Sequence, residues 1–274
     1  MMRILLSNDD GIDAPGFAAL ERIAAQLSDD IWVSAPAEEQ SGAGHSLSLH
    51  APIRVRKRGD RRFAVAGTPT DSVMMALGYL MEGVRPDLLL SGVNRGPNLA
   101  EDVTYSGTVS AAMEGTLAGV PSIALSQHMS DYTFGRENFA AAEAAGAEVI
   151  RRILATEWQQ GVLININFPA RDVPLGVKVT HQGLRDYGHI RVDARTDPRG
   201  IPYYWFGYGR EMETVAHRTD LEAVRDGYVS VTPLHLDLTH YQAMENLRAA
   251  VEASGEADAC GDAPLASPHT VTSR

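Results

Sequence analysis

The chain has 274 residues, 44% of them hydrophobic and 22% charged, an ordinary globular composition with length enough for a substantial core. Its formal net charge of −11 argues against binding to a nucleic-acid polymer or an anionic membrane surface. One cysteine, Cys260, excludes a disulfide within the monomer and leaves no thiolate set for zinc.

The first residues, Met-Met-Arg, run straight into a strand at Met2 to Ser7, with no basic-then-apolar leader. Pro15 to Leu27 follows as a helix, with Phe17, Leu20, Ile23, Ala24 and Leu27 at helical spacing. Ile31 to Ser34 is a second strand. Ile53 to Arg58 and Arg62 to Ala66 flank Gly59-Asp60 as an antiparallel hairpin, and its basic run from Arg54 to Arg62 reads as a solvated face. Asp71 to Met81 is a helix with Val73, Met74, Leu77 and Leu80 on one face. Asp87 to Ser91 is a very apolar strand, Gly107 to Leu117 a helix, Ser122 to Ser126 a buried strand, Phe139 to Ala155 an Ala-rich helix and Leu163 to Phe168 an apolar strand. This alternation predicts an α/β fold with a doubly wound sheet over residues 1–170.

After Pro169 the texture changes. Val177 to Thr180, Ile190 to Val192, Tyr203 to Phe206 and Tyr228 to Thr232 read as short strands, and Tyr241 to Val251 as a last helix. Residues 171–251 therefore form a β-rich extension or an oligomerisation arm. Strand alternation favours packing of Tyr203, Tyr204, Trp205 and Phe206 in a core or subunit interface over stacking on a nucleobase. Residues 252–274, rich in Gly, Ala, Asp, Ser and Thr, read as a disordered tail. No apolar run reaches the length that spans a bilayer, and the chain reads as soluble and cytoplasmic.

Four polar segments fall after strands of the predicted sheet. Ser7-Asn8-Asp9-Asp10-Gly11 puts two adjacent carboxylates where open α/β sheets place their ligands. Buried together, they need a cation or a proton; the competing reading is an ordinary polar turn. Ser41-Gly42-Ala43-Gly44-His45-Ser46 is either a close-approach loop with hydroxyl donors or a flexible surface loop. In it His45 is either an acid for a leaving group or a surface side chain. Gly67-Thr68-Pro69-Thr70-Asp71-Ser72 reads mainly as helix initiation, with Thr70 or Asp71 as N-cap. The richest segment runs from Ser91-Gly92-Val93-Asn94-Arg95-Gly96-Pro97-Asn98 to Tyr105-Ser106-Gly107-Thr108, ending at a helix start that offers backbone N–H groups and two hydroxyls to a phosphate. Two carboxylates, a hydroxyl and an amide oxygen suit Mg²⁺ or Mn²⁺ rather than zinc. A hard cation beside an anion-binding helix start points to phosphate chemistry.

Taken together, these segments resemble the signature of the SurE family, the stationary-phase survival phosphatases that act as metal-dependent 5′-nucleotidases. Order and spacing match over roughly residues 2 to 250, with Leu163-Ile164-Asn165-Ile166-Asn167-Phe168-Pro169 and Val231-Thr232-Pro233-Leu234 similar to later landmarks. The resemblance implies a Rossmann-like, mostly parallel sheet with a C-terminal extension that exchanges between subunits of a homodimer or homotetramer. It implies one divalent ion, Mg²⁺ or Mn²⁺, per subunit, held by Asp9, Asp10, Ser41 and Asn94. Asn98, Ser106, Gly107 and Thr108 would line the phosphate, and Asp9 or Asp10 would also orient or deprotonate the attacking water. The implied substrates are nucleoside monophosphates, with 3′-nucleotides and short polyphosphate as further candidates. A nucleotide or phosphate sensor without turnover is the alternative. A Rossmann oxidoreductase or methyltransferase is disfavoured, because Asp9 and Asp10 stand where a Gly-x-Gly-x-x-Gly turn would be.

Overall fold

The computed structural model describes residues 1–133, 135–185, 190–208 and 218–252. The expected disorder of the tail and the position of Cys260 lie outside the described residues, apart from Glu252, which is part of a helical turn. In chain order the elements are β1 (Arg3–Ser7), α1 (Pro15–Ala25), β2 (Asp30–Pro36), β3 (Arg54–Gly59), β4 (Arg62–Ala66), α2 (Pro69–Met75), β5 (Leu88–Arg95), α3 (Gly107–Leu117), β6 (Ser122–Gln127), α4 (Ala140–Leu154), β7 (Val162–Phe168), β8 (Val177–Val179), β9 (Ile190–Thr196), β10 (Pro202–Tyr208), α5 (Asp220–Arg225), β11 (Val229–His235) and α6 (Tyr241–Val251). A π-helical turn, Ala76–Leu80, continues α2, and a 3-10 turn, Ala100–Thr104, precedes α3.

Nine strands form one sheet in the order β3-β4-β2-β1-β5-β6-β7-β11-β8. Pairing is parallel from β4 through β7 and between β11 and β8, and antiparallel at β3–β4 and β7–β11. The mostly parallel, doubly wound α/β sheet is thus present. Its faces follow the period of two: Ile4 and Leu6 pack with Phe17, Leu20 and Ile23 of α1 and Ile150 of α4, while Leu5 packs with Val73 of α2 and Val109 and Ala112 of α3. From β1 the chain moves outward to β2 and β4, then returns to β5 and continues to β7. The direction reverses between β1 and β5, the switch point beyond whose carboxyl ends open α/β sheets place their ligand crevice.

β11 and β8 extend the main sheet, so the compact unit runs from Met1 through Leu236; a second unit begins at Asp237 and holds α6. β9 and β10 form a separate antiparallel ribbon. Tyr204, Trp205 and Phe206 on it are 63%, 61% and 85% exposed, which corrects the core half of the expectation for these aromatics. Two strands alone have no second layer to bury a side chain against. Among the described residues no helix is long and apolar enough to cross a membrane.

Two local differences from the sequence reading have simple causes. The N-cap of α2 is Thr68, not Thr70 or Asp71. Its hydroxyl accepts from Asp71 N at 3.0 Å, and the Asp71 carboxylate accepts from Thr68 N at 2.8 Å, a reciprocal capping box. Pro69 takes the first helical position, where its missing N–H costs nothing, and this moves the cap one residue before it. α5 was not anticipated; Thr219 caps it by accepting from Glu222 N at 3.1 Å.

Candidate active site

β1 delivers Asp9 and Asp10 to the crevice through a tight turn. The Asn8 amide donates to Gly11 O at 2.8 Å, and Gly11 adopts a φ of 99°, open to glycine at no steric cost. The loop after β2 lies against this turn, with Gln40 N donating to Asp9 O at 2.8 Å. Asp9 is 4% exposed, and the Thr108 hydroxyl donates to its Oδ1 at 2.5 Å. Gly107 permits that approach: a Cβ on it would stand 2.8 Å from Asp9 Cβ and 3.0 Å from Pro69 Cγ. Asp10 is fixed from the other side by Arg95 N, which donates to its Oδ2 at 3.0 Å. The pair is therefore strung between the start of α3 and the end of β5.

Burial pushes the Asp9 carboxyl up to about 6, against the lowering effect of the Thr108 hydrogen bonds. Burial, then repulsion from Asp9, pushes Asp10 up to about 7. Glu39, in the loop after β2, raises both further and went unnoticed in the sequence. It stands only two residues before Ser41, but its proximity to Asp9 depends on the fold.

The other residues singled out from the sequence fall in three positions. Asn94 is half-buried; its amide N–H donates to Gly96 O at 2.9 Å, which leaves Oδ1 as a lone acceptor. Ser41 is exposed and donates to Glu39 Oε1 at 2.9 Å, in a loop fastened to α2 by Thr68 Oγ1 to Ser46 O at 2.8 Å and Ser48 N to Asp71 Oδ1 at 3.0 Å. Although burial works against ionisation of Asp71, the hydrogen bonds from Ser48 and Thr68 outweigh it and hold the carboxyl below its ordinary value. Asn98 is 7% exposed over the ends of β6 and β7, where it bonds to Ser126, Asn165 and Asn167.

The helix start is organised differently from the sequence reading. Ser106 Oγ caps α3 by accepting from Val109 N at 3.1 Å, and the Thr108 hydroxyl is spent on Asp9. α3 therefore offers an anion its first backbone N–H groups, its dipole and the Ser106 O–H, which capping leaves free to donate. His45 Nε2 lies 2.6 Å from Glu114 Oε1. Glu114 is seven residues into α3 from Gly107, about 10 Å along the axis at ~1.5 Å per residue, which separates the ring from the helix start.

Does this arrangement fit a metal? Among the described residues no cluster of three His, Cys, Asp or Glu is placed to hold one, so any site here rests on two carboxylates and neutral oxygens. Several buried oxygens have no partner among the described residues: Asn8 Oδ1 next to Asp9 in the chain, Ser7 Oγ and Ser91 Oγ on β1 and β5, and Thr70 Oγ1 in the first turn of α2. Ser7 and Ser91 are register partners on β1 and β5. An acid pair with raised carboxyls, next in the chain to the unpartnered buried Oδ1 of Asn8, fits a hard divalent cation, which takes oxygen ligands.

The likeness to known proteins agrees with this geometry. Residues 4–189 match the family model described as survival protein SurE. A protein of Rhizorhabdus wittichii named 5′-nucleotidase SurE is 60% identical over 246 residues, covering 89% of this chain and 97% of its own. A protein of the same name from Erythrobacter litoralis is 57% identical over 242 residues, covering 88% and 96%. The crystal structure of the SurE protein from Aquifex aeolicus superposes with a TM-score of 0.77 at 42% identity, covering 90% of this chain and 99% of that one. With an acid pair at the switch point of a doubly wound sheet, and whole-length similarity to such relatives, the chain belongs to the SurE family.

Proposed function

We propose that this chain is a metal-dependent phosphomonoesterase that hydrolyses nucleoside monophosphates to nucleoside and inorganic phosphate. The observation that carries the reading is the Asp9–Asp10 pair at the start of α3, with Asp9 raised by burial and Asp10 by burial and repulsion from Asp9. The names of the relatives support a 5′-nucleotidase activity; 3′-nucleotides and short polyphosphate are further candidate substrates.

Asp9, Asp10, Asn94 and Ser41 would hold one Mg²⁺ or Mn²⁺ ion per chain. Bound there, the ion supplies the positive charge that polarises a phosphoryl oxygen and eases deprotonation of water. The chain's own groups do the rest. Thr108 fixes Asp9 through its hydroxyl, and Arg95 fixes Asp10 through its backbone N–H, so both carboxylates face the crevice in set orientations. One of the two orients the attacking water and takes its proton. The first N–H groups of α3, at Gly107 and Thr108, stabilise charge on the phosphoryl oxygens, with Ser106 holding the helix start in shape. Asn98 supplies an amide donor on the same side. Ser41 donates its hydrogen to Glu39, which leaves the lone pairs of its oxygen for the ion.

As part of the same proposal, the chain assembles as a homodimer or homotetramer in the cytoplasm, with exchange of the C-terminal segment. The exposed aromatics of β10 support such an arm. The test of function is release of inorganic phosphate from AMP and GMP with and without Mn²⁺, comparing wild type with Asp9→Asn. Turnover that needs Mn²⁺ and is lost in the variant supports the reading. Metal-independent turnover, or an unaffected variant, overturns it.

A further inference from the structure

We infer that Ser126, Asn165 and Asn167 are positioning residues that set Asn98 against the transferring phosphoryl group, an inference that rests on the phosphatase reading above. β7 reads Leu163-Ile164-Asn165-Ile166-Asn167-Phe168. Ile166 and Phe168 pack on the α1/α4 side, so Leu163, Asn165 and Asn167 face the α2/α3 side, where α3 begins. Both asparagines are completely buried. Stability alone would favour apolar side chains there, as at Leu163 one step earlier, because a buried amide must recover its lost hydration through hydrogen bonds.

Those bonds converge on one residue. Asn167 Oδ1 accepts from Asn98 N at 2.8 Å, while Asn167 Nδ2 and Asn165 Nδ2 donate to Asn98 O at 3.1 and 2.8 Å. Both main-chain polar groups of Asn98 are thereby held by side chains of a strand almost seventy residues away. The Asn98 side chain is fixed as well, its Nδ2 donating to Ser126 Oγ at 2.8 Å. Ser126 is the register partner of Asn167 on one side and of Asn94 on the other. A candidate ligand of the cation and the support of Asn98 therefore lie in one row across β5, β6 and β7.

Just beyond, Ala100 N donates to the buried Asp220 Oδ2 at 2.8 Å and Gln182 Nε2 donates to Ala100 O at 2.7 Å, so the loop is tied down on its far side too. What remains unspent on Asn98 is Oδ1 and the second amide hydrogen, a donor suited to a phosphoryl oxygen. Support of this kind matters because an error of about 1 Å in a substrate contact costs on the order of a hundredfold in rate.

The test uses the full-length Mn²⁺-loaded protein and the variants Ser126→Ala, Asn167→Leu and Asn98→Ala. The expected result for Ser126→Ala is near-unchanged melting temperature and Mn²⁺ affinity, a kcat for AMP reduced about tenfold or more, and weaker orthophosphate binding by calorimetry; Asn167→Leu should show the same losses of kcat and orthophosphate binding with a lower melting temperature, because it leaves the Asn98 N–H without its acceptor. On the Asn98→Ala background Ser126→Ala should add no further loss, since its effect runs through Asn98. Wild-type kcat and orthophosphate affinity in the single variants, or losses that multiply on the Asn98→Ala background, would overturn the inference. If Asn167→Leu fails to fold, Ser126→Ala carries the test alone. If the wild type releases no phosphate from any nucleotide, the functional reading fails by itself. Orthophosphate affinity then decides the inference separately: equal binding by wild type and Ser126→Ala overturns it.

Discussion

Replacing Gly107 by Ala adds one methyl group at the most crowded point of the site. Its carbon would stand 2.8 Å from Asp9 Cβ, 3.0 Å from Pro69 Cγ and 3.1 Å from Asp9 Oδ2. Carbon atoms rest at about 3.5–4.0 Å, so Asp9, Pro69 or the start of α3 must move by several tenths of an ångström. Overpacking of this kind costs ~1–3 kcal/mol, offset in part by the ~1 kcal/mol that Ala gains over Gly in a helix. The net loss of stability is about 0–2 kcal/mol, at most a fall of several degrees in Tm for a chain of this size. Displacement of the Asp9 carboxylate is the larger effect, because an error near 1 Å at a catalytic group costs roughly a hundredfold in rate. The assay is phosphate release from AMP at saturating Mn²⁺, with Tm measured in parallel. Gly78→Ala is the control, since nothing lies within 4 Å of a Cβ added there. A Gly107→Ala protein that keeps wild-type kcat/KM would refute the placement of Gly107 and Asp9 at the reacting centre.

Other perturbations have equally definite outcomes. Thr108→Val keeps the side-chain shape but removes the hydroxyl that donates to Asp9, and should weaken Mn²⁺ binding by about 10–100-fold, read by calorimetry. The metal-free protein should lose stability as pH rises. Unfolded Asp carboxyls titrate near 3.8, whereas native Asp9 and Asp10 keep their protons to about 6 and 7. Between those limits the native state holds more protons, so raising the pH through the window destabilises it by on the order of a few kcal/mol, with the loss complete above about 7. Urea unfolding in a chelator at pH 5.5 and pH 8 measures this; Asp10→Asn should flatten the difference, and Mn²⁺ should reverse it at pH 8. Thr68→Ala breaks the capping box of α2 and should cost about 1 kcal/mol in the same urea assay.

Much of this was legible in the chain, and most of the exceptions share a cause. The strand before Asp9-Asp10 is plain from its apolar run, whereas the acid pair alone also reads as a polar turn and gains its meaning from the other loops of the same sheet edge. Patterning also sufficed for the alternation of α1 to β7. The roles of Ser106 and Thr108 were less accessible. Both hydroxyls can in principle donate to a phosphate, yet the Thr108 O–H is given to Asp9, a partner ninety-nine positions away, while the Ser106 oxygen also serves as a helix cap. Asn165 and Asn167 have no local signal of their partner, because Asn98 lies almost seventy positions away. Glu39 acts on Asp9 only through the fold. α5 was different: Thr219 and Glu222 have the spacing of a capping box, a local signal that was there to be read. Local physics was written in the sequence, whereas pairings over tens of residues needed the three-dimensional arrangement.

The central claim is that Asp9 and Asp10 are half of a divalent metal site. Titration of Mn²⁺ into metal-free protein by calorimetry tests it most directly. One ion should bind per chain with release of protons near pH 6.5, and Asp9→Asn should abolish that binding while the protein stays folded. Equal Mn²⁺ affinity and stoichiometry in wild type and Asp9→Asn would contradict the account.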